Sequence, residues 1–293
     1  MKPVPFEYRR AASVAEACAW CAEDREAVLI AGGQTLMPML AMRLVRPTRV
    51  IDIGRIPELD GIRVDGGDVV IGATTRQAAA ERSPIVAAEL PLLARALPWI
   101  GHPPTRRRGT IGGSIANADP AAEIALIAVT LGAEMLIAGA GDGPAAIPAA
   151  EFFLAPMVTA LPAGAMLTGL RFPRAKPART GSGFAEIARR HGDFALAAAA
   201  VSLVLDDHGA IAGIALAIGG ATPVPMRLAL YALIGARPDD AKIAAAVAAA
   251  LAPLAMMTDG HASAAYRRRA AAHLAQAAIA EAAADAAPKE DER

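Results

Sequence analysis

The sequence predicts an α+β protein in which two small α/β units are followed by a three-stranded antiparallel sheet and a bundle of helices. Three observations lead there. Apolar, strand-like runs at 27–31 and 49–53 bracket a helical period, the pattern of a parallel βαβ layer. The turn Asp65-Gly66-Gly67-Asp68 lies between Ile62-Arg63-Val64 and Val69-Val70-Ile71, so pairing then switches to antiparallel. After three more strand-like runs, residues 227–286 keep a helical period.

Ser13-Val14-Ala15-Glu16 fits a capping box and starts a helix near Val14 with Val14, Cys18, Cys21 and Ala22 on its core face. Thiols placed mid-helix on a buried stripe read as packing rather than as a redox pair. Ala27–Ala31 reads as a strand buried on both faces, ended by Gly32-Gly33. Thr35 opens a helix with Leu36, Met39, Leu40 and Leu44 on one face and Pro47 closing it, and Arg49–Ile53 is the next strand. After the hairpin, Thr74-x-x-Gln77 is a second capping box, Ser83-Pro84 ends that helix, and Leu92–Leu97 makes another.

Thr110-Ile111-Gly112-Gly113-Ser114 is a second glycine turn. Asp119-Pro120 reads as N-cap and first residue of a helix carrying Ile124, Ile127, Ala128 and Leu131, stopped by Gly132. Met135–Ile137 and Met166–Phe172 are strands, and 138–150 is a connection rich in Gly, Ala and Pro. The basic, proline-broken stretch Arg174–Gly183 is the linker. It divides the chain into a first domain, 1–175, with subdomains of about 1–56 and 57–175, and a second, 176–286, with a solvated tail at 287–293. Phe184–Ala188, Ala198–Leu205 and Ile211–Ala217 supply the three strands of the second domain, the last two joined by Asp206-Asp207-His208-Gly209. Alanine-only stripes receive little weight, because arginine far outnumbers lysine and the composition is skewed.

Lys plus Arg and Asp plus Glu both number 29, so no net field draws in nucleic acid or an anionic membrane surface. Two cysteines cannot supply the four thiolates of an iron–sulfur cluster. The stretch Gly209–Met226 is broken by glycines and prolines, which argues against a transmembrane segment, and MKPVPFEYRR lacks a secretory h-region, so a cytoplasmic location is expected. There is no Walker loop, no G-x-S-x-G and no H-E-x-x-H; Gly181-Ser182-Gly183 starts a dinucleotide fingerprint, but Glu186 stands at its third glycine. The histidines at 102, 191, 208, 261 and 273 show no i, i+4 pair, so neither a metal site nor a catalytic residue is nominated.

The two glycine pairs are the candidate site. In Ala31-Gly32-Gly33-Gln34-Thr35 and Thr110-Ile111-Gly112-Gly113-Ser114, bare main chain lets a phosphate approach and exposed N–H groups can hold it, with Gln34, Thr35 and Ser114 completing the bonds. Taken alone, these residues favour the plainer reading of two ordinary glycine turns. On the phosphate reading, valine at Gly33 or Gly112 fills the phosphate space and leaves the fold largely intact.

The phrases AGGQTLMPML at 31–40, RPTRVIDI at 46–53, ELDGI at 58–62, IGATTR at 71–76, GTIGGSIANADPAAE at 109–123 and RRHGDFALA at 189–197 carry a resemblance over about residues 3 to 285. The chain resembles the medium, FAD-binding subunit of molybdenum hydroxylases, the carbon monoxide dehydrogenase and xanthine dehydrogenase-like family. The resemblance implies an FAD-binding domain of the PCMH, vanillyl-alcohol-oxidase-like type. It implies an FAD whose pyrophosphate lies on the glycine loops. Ile30, Ala31, Gly32, Gly33, Gln34, Thr35, Leu36 and Met37 would line the cofactor, as would Thr110, Ile111, Gly112, Gly113 and Ser114. Ile100 would face the flavin ring, Leu167 would be a further contact, Asp119 lies in the matching segment, and Glu123 stands where the family uses Asp. A lysine that relatives often carry between Phe184 and Arg189 is missing; the stretch reads Ala185-Glu186-Ile187-Ala188.

The implied partners are a large molybdopterin subunit and a small subunit with two [2Fe–2S] clusters, in a dimer of heterotrimers, with an external acceptor taking the electrons. A stand-alone flavoenzyme and a non-flavin assembly subunit are the alternatives. Arg106-Arg107-Arg108 and Arg267-Arg268-Arg269 read as solvated charge, and Asp119 as a helix cap. Trp99 reads as core, and Phe194 either limits access to the ring or sits in a strand-entry turn.

Overall fold

The computed structural model describes residues 2–139, 141, 145–174 and 179–287. The N-terminal layer is β1 (Glu7–Arg10), α1 (Val14–Glu23), β2 (Val28–Ile30), α2 (Leu36–Ala41) and β3 (Arg49–Asp52), with parallel strands in the order β1-β3-β2. Ser13 Oγ accepts the Glu16 N–H at 3.2 Å, and the Glu16 carboxylate answers from Ala12 N–H at 2.7 Å, one residue before the cap. The sequence reading misses β1 and takes β2 as doubly buried. Instead β3 is central and β2 is a half-buried edge, because the residues after it turn into an open cleft. The α2 helix also ends early: Arg43 adopts a left-handed φ of 59°, and Leu44 is left 67% exposed rather than on a core stripe ending at Pro47.

The middle unit is built on an antiparallel sheet ordered β4-β5-β10-β6-β7, from β4 (Ile62–Asp65), β5 (Asp68–Gly72), β6 (Glu134–Ala138), β7 (Ala145–Pro148) and β10 (Met166–Pro173). The strand β7 and the start of the helix α9 (Ala149–Phe152) fall in the connection read over 138–150, and the small hairpin β8 (Phe153–Ala155) and β9 (Val158–Thr159) follows it. Helices α3 (Gln77–Glu81), α4 (Pro84–Glu89), α5 (Pro91–Ala96), α6 (Pro103–Arg108), α7 (Ile111–Asn117) and α8 (Glu123–Leu131) lie between β5 and β6. Two predicted caps shift. Thr74 is buried and Arg76 is the N-cap of α3, whereas Ser83 starts α4, its hydroxyl accepting Val86 N–H at 3.3 Å. Asp119 holds Ala121 N–H at 2.9 Å in a turn before α8, whose cap is Ala122.

The C-terminal unit has β11 (Thr180–Ile187), β12 (Ala197–Leu205) and β13 (Ile211–Gly219), the three long strands expected, and a short β14 (Met226–Leu228) that extends the sheet where a helical period was read. Helices α10 (Asp240–Leu251) and α11 (Ala264–Ala286) complete it. The reading of a linker over 174–183 shrinks, since β11 already begins at Thr180; 175–178 and the tail at 288–293 lie outside the described residues.

The sheet is buried on both faces. Ala198 and Ala200 of β12 join the core around α8, while Ala197, Ala199 and Val201 face the core under α11. Gly181 and Gly183 explain how α11 seats: a Cβ on either would collide with the carbonyl of Ala282 or Ala278. The alanine stripe Ala271, Ala275, Ala278, Ala282 of α11, given little weight above, is the contact surface. Residues 124–130 of α8 are buried all round, because one face meets the middle sheet and the other the C-terminal one.

Candidate functional site

A cleft of about 600 Å³, in the range typical of cofactor sites, opens where the three units meet. Its walls are the β2–α2 loop, the segment from Gly109 to Asn117, the start of α8, Leu167 of β10 and the loop Gly192–Phe194. Of the residues singled out from sequence, Ile30 to Leu36, Ile100, Thr110, Gly112, Gly113, Ser114, Asp119, Glu123 and Leu167 line it. Met37 and Ile111 do not: Met37 of α2 is 46% exposed, and Ile111, the first residue of α7, is fully buried.

The two glycine loops touch. A Cβ on Gly32 would strike the Arg108 carbonyl and approach Gly109 Cα to 2.9 Å. They do different work, however. The N–H groups of Gly32, Gly33, Gln34, Thr35 and Leu36 make no hydrogen bond within the described residues, and Gly33 needs its φ of 70° to aim the turn. In the second loop the main-chain donors of residues 111–114 are taken, and Thr110 N–H makes no hydrogen bond within the described residues. Ile111 N–H goes to Thr75 O, Gly112 N–H to Ala73 O, Ser114 N–H to Thr110 O, and Gly113 N–H to the Thr110 hydroxyl that caps α7. The expectation of two amide cradles is corrected to one, because residues 111–114 are the first turn of a helix and not a bend. Gly112 is bare for packing, since a Cβ there would lie 2.5 Å from Ala73 Cβ.

Among the described residues no Lys or Arg lines the cleft, while Asp119, Glu123 and Asp193 do. An anion in it must therefore be held by main-chain amides and by neutral side chains. Glu123 is 9% exposed, and burial, with the Asp119 charge adding to it, pushes its carboxyl up to about 7. Periodicity gave no signal for Gln77, His102, Thr105 and Asn117, polar residues that also line the cleft. The buried Gln77 Oε1 has no hydrogen-bond partner. Phe194, 75% exposed, stands at the mouth.

The solvated reading of the arginine triplets fails for their buried members. Arg106 pairs with Glu81 at 2.9 and 3.0 Å and donates to the carbonyls of Ile100 and Gly101. Arg267 binds the Leu196 and Gly220 carbonyls and Asp259, and Arg268 those of Leu251 and Leu254. Trp99 packs against the core with its ring 6.0 Å from Phe184 and 5.4 Å from His191. Burial raises both cysteine thiols, opposite to what a reactive pair needs.

The family described as "FAD binding domain in molybdopterin dehydrogenase" matches residues 4–175, and "CO dehydrogenase flavoprotein C-terminal domain" matches 182–282. The 6-hydroxypseudooxynicotine dehydrogenase complex subunit alpha of Paenarthrobacter nicotinovorans is 37% identical over 91% of this chain and 90% of its own length. The nicotine 6-hydroxylase medium subunit of the same organism is 36% identical over 96% and 99%. Among solved structures, a carbon monoxide dehydrogenase chain from Hydrogenophaga pseudoflava superposes with a TM-score of 0.94 at 36% identity, covering 98% of this chain and 100% of that one.

Proposed function

Because the chain belongs to the FAD-binding medium subunits of molybdenum hydroxylases, we propose that it carries electrons from a partner's iron–sulfur clusters to an external acceptor. It is a flavoprotein subunit of the oxidoreductase class, and FAD is its cofactor. When bound, FAD supplies the redox chemistry, with electrons arriving singly from a small subunit holding two [2Fe–2S] clusters while a large molybdopterin subunit oxidises the substrate.

The observation that carries this reading is the row of unpaired amides at Gly32–Leu36 in a cleft that no Lys or Arg lines among the described residues. Those amides would take the phosphate oxygens, with Gln34, Thr35 and Ser114 adding side-chain bonds. Ile100 and Leu167 would form apolar wall against the cofactor, and Phe194 at the mouth would restrict what reaches it. Cys18 and Cys21 are both half-buried on α1 and no other cysteine exists, which agrees with clusters being held by another chain. The assembly is a dimer of heterotrimers in the cytoplasm; no helix among the described residues is long and apolar enough to cross a membrane.

Purification from the native host tests this. A yellow chain with one FAD, accompanied by one subunit carrying molybdenum and one carrying iron, is the expected result. A colourless chain that stays free of FAD when incubated with it would overturn the reading.

A further inference from the structure

Gln77, in the cleft wall, is buried with neither end of its carboxamide paired among the described residues. It is the first residue of α3, 6% exposed, and its backbone N–H donates to Gly109 O at 2.9 Å. Its side chain lies against the bare main chain of Gly109: a Cβ there would stand 2.6 Å from Gln77 Oε1 and 3.1 Å from the Thr105 carbonyl oxygen. Gly109 N–H donates to Thr105 O at 2.7 Å, and Gln77 Oε1 is left sealed from solvent without a hydrogen-bond partner. Gln77 Nε2 makes no hydrogen bond among the described residues either, but it is not sealed, and Gln77 lines the cleft. The end of the carboxamide open to the cleft is therefore its NH2 group.

The donor stands beside the free amides. Gly109 Cα lies 2.9 Å from where Gly32 would carry a Cβ, and Gly32 begins the row of unpaired N–H groups, so the carboxamide and the row flank the same joint. Two other carboxamides line the cleft, and both are engaged: Gln34 Nε2 donates to Gly32 O at 3.4 Å, and Asn117 Nδ2 faces Met157 Sδ at 3.9 Å. With no Lys or Arg lining the cleft among the described residues, a neutral N–H is what the wall can add to the main-chain amides for an anion. The sealed oxygen, meanwhile, destabilises the fold, since a buried acceptor has lost water and gained no donor. Local conflicts of this kind are kept where a site needs them.

We propose that Gln77 is a binding residue for FAD: its Nε2 donates to a diphosphate oxygen at the joint of the two loops, the neutral counterpart of the basic side chain that this cleft lacks. The inference rests on the FAD reading of the cleft. It gives affinity and stability opposite signs when the amide is replaced by an apolar group of similar length. Gln77→Met removes the donor, which weakens FAD binding, and removes the unpaired oxygen with it, which relieves the FAD-free chain. A carboxamide that only packed would lose both together.

The test uses the full chain stripped of FAD, native and as Gln77→Met and Gln77→Glu. Affinity for added FAD is followed by quenching of its fluorescence, and the melting temperature of the FAD-free chain by calorimetry. Losing one hydrogen bond to a charged acceptor weakens binding about tenfold to about a hundredfold. Gln77→Met is therefore expected to bind FAD at least about tenfold more weakly than the native chain while melting at or above the native temperature. Gln77→Glu keeps the shape but turns an acceptor toward the phosphate, and is expected to bind FAD more weakly still. Phosphorus NMR at saturating FAD gives the location: a diphosphate resonance moves between the native chain and Gln77→Met. Native affinity in Gln77→Met, a melting temperature that falls with its affinity, tighter binding by Gln77→Glu than by Gln77→Met, or phosphorus resonances that stay in place would each overturn the proposal while leaving the FAD reading intact. A native chain that takes up no FAD overturns both.

Discussion

The carbonyl oxygen of Arg108 occupies the place where Gly32 would carry a side chain. The contact presses the β2–α2 loop onto the segment that leads into α7. Arg76 locks it, its guanidinium donating to the same carbonyl, and Gln77 N–H donates to Gly109 O at 2.9 Å. Two loops far apart in sequence thus form one continuous floor, with the free amides of one set beside the helix start of the other.

Gly32→Ala should therefore act on the floor. A methyl group cannot fit without the loops moving apart, an overpacking cost of about 1–3 kcal/mol. FAD content is expected to drop at least about tenfold, because the amide row shifts relative to the opposite wall. Urea unfolding and flavin absorbance measure the two effects; a variant with native FAD content would show that the contact does not set the site.

Valine at Gly112 tests the corrected role of the second loop. Its Cβ would press into Ala73, so the variant should lose on the order of 3 kcal/mol of stability or fail to fold, rather than keep its fold with an occupied phosphate space. Gly33→Val differs. It meets a φ of 70° and a nearest contact of 3.2 Å to the Met37 side chain, so strain of about 1–2 kcal/mol distorts the amide row while the fold survives. Thermal melts combined with FAD titration separate the two outcomes. A Gly112→Val chain of native stability would refute the packing role.

Much of this was legible in the residues and some was not. The Ser13 cap, the Asp65–Asp68 hairpin, the Gly132 stop and three long strands follow from local chemistry. The cleft-facing glycines were also visible, as residues that no side chain could replace. What could not be read was which neighbour makes each glycine necessary. Gly112 in sequence looks like Gly33, but one abuts Ala73 and the other turns the chain. The buried arginines escaped for the same reason: Arg106 resembles Arg107 until Glu81 and the Ile100 carbonyl are brought to it by tertiary contacts. Ala278 and Ala282 were discounted as composition, although Gly181 and Gly183 opposite them make alanine the residue that fits.

Arg106 and Arg107 give a paired prediction. Arg106→Met strands the Glu81 carboxylate and the carbonyls of Ile100 and Gly101, a loss of about 3 kcal/mol expected when one member of a buried ion pair is removed. Since Ile100 lines the cleft, FAD content should fall as well. Arg107→Met, at an exposed neighbour, should stay within about 0.5 kcal/mol of the native chain. Equal urea midpoints for the two variants would refute the assignment of Arg106 as an internal brace.

The stability of the FAD-free chain should have an unusual pH profile, and its sign follows from the buried acids. Glu123 and Glu186 are raised from the ordinary 4.5 to about 7 and about 8, so the folded chain holds protons that the unfolded chain has released. Their contribution is complete below the ordinary carboxylate value and is lost as pH rises toward about 8. Asp259 acts in the opposite sense. Amide N–H groups of His261 and Ala262, and then Arg267, hold it down to about 2, so its contribution is present above the ordinary value and disappears as pH falls toward 2. The two trends leave a maximum on the acid side of neutrality, near about pH 5, and a melting temperature lower by on the order of 5 °C at about pH 8. Glu186→Gln removes a buried charge at alkaline pH and should flatten that limb while leaving the acid limb in place. Scanning calorimetry across the range decides it: a native chain as stable at about pH 8 as at about pH 5 would mean that the two carboxyls ionise without cost, and that the wall of the cleft is wetter than their burial implies.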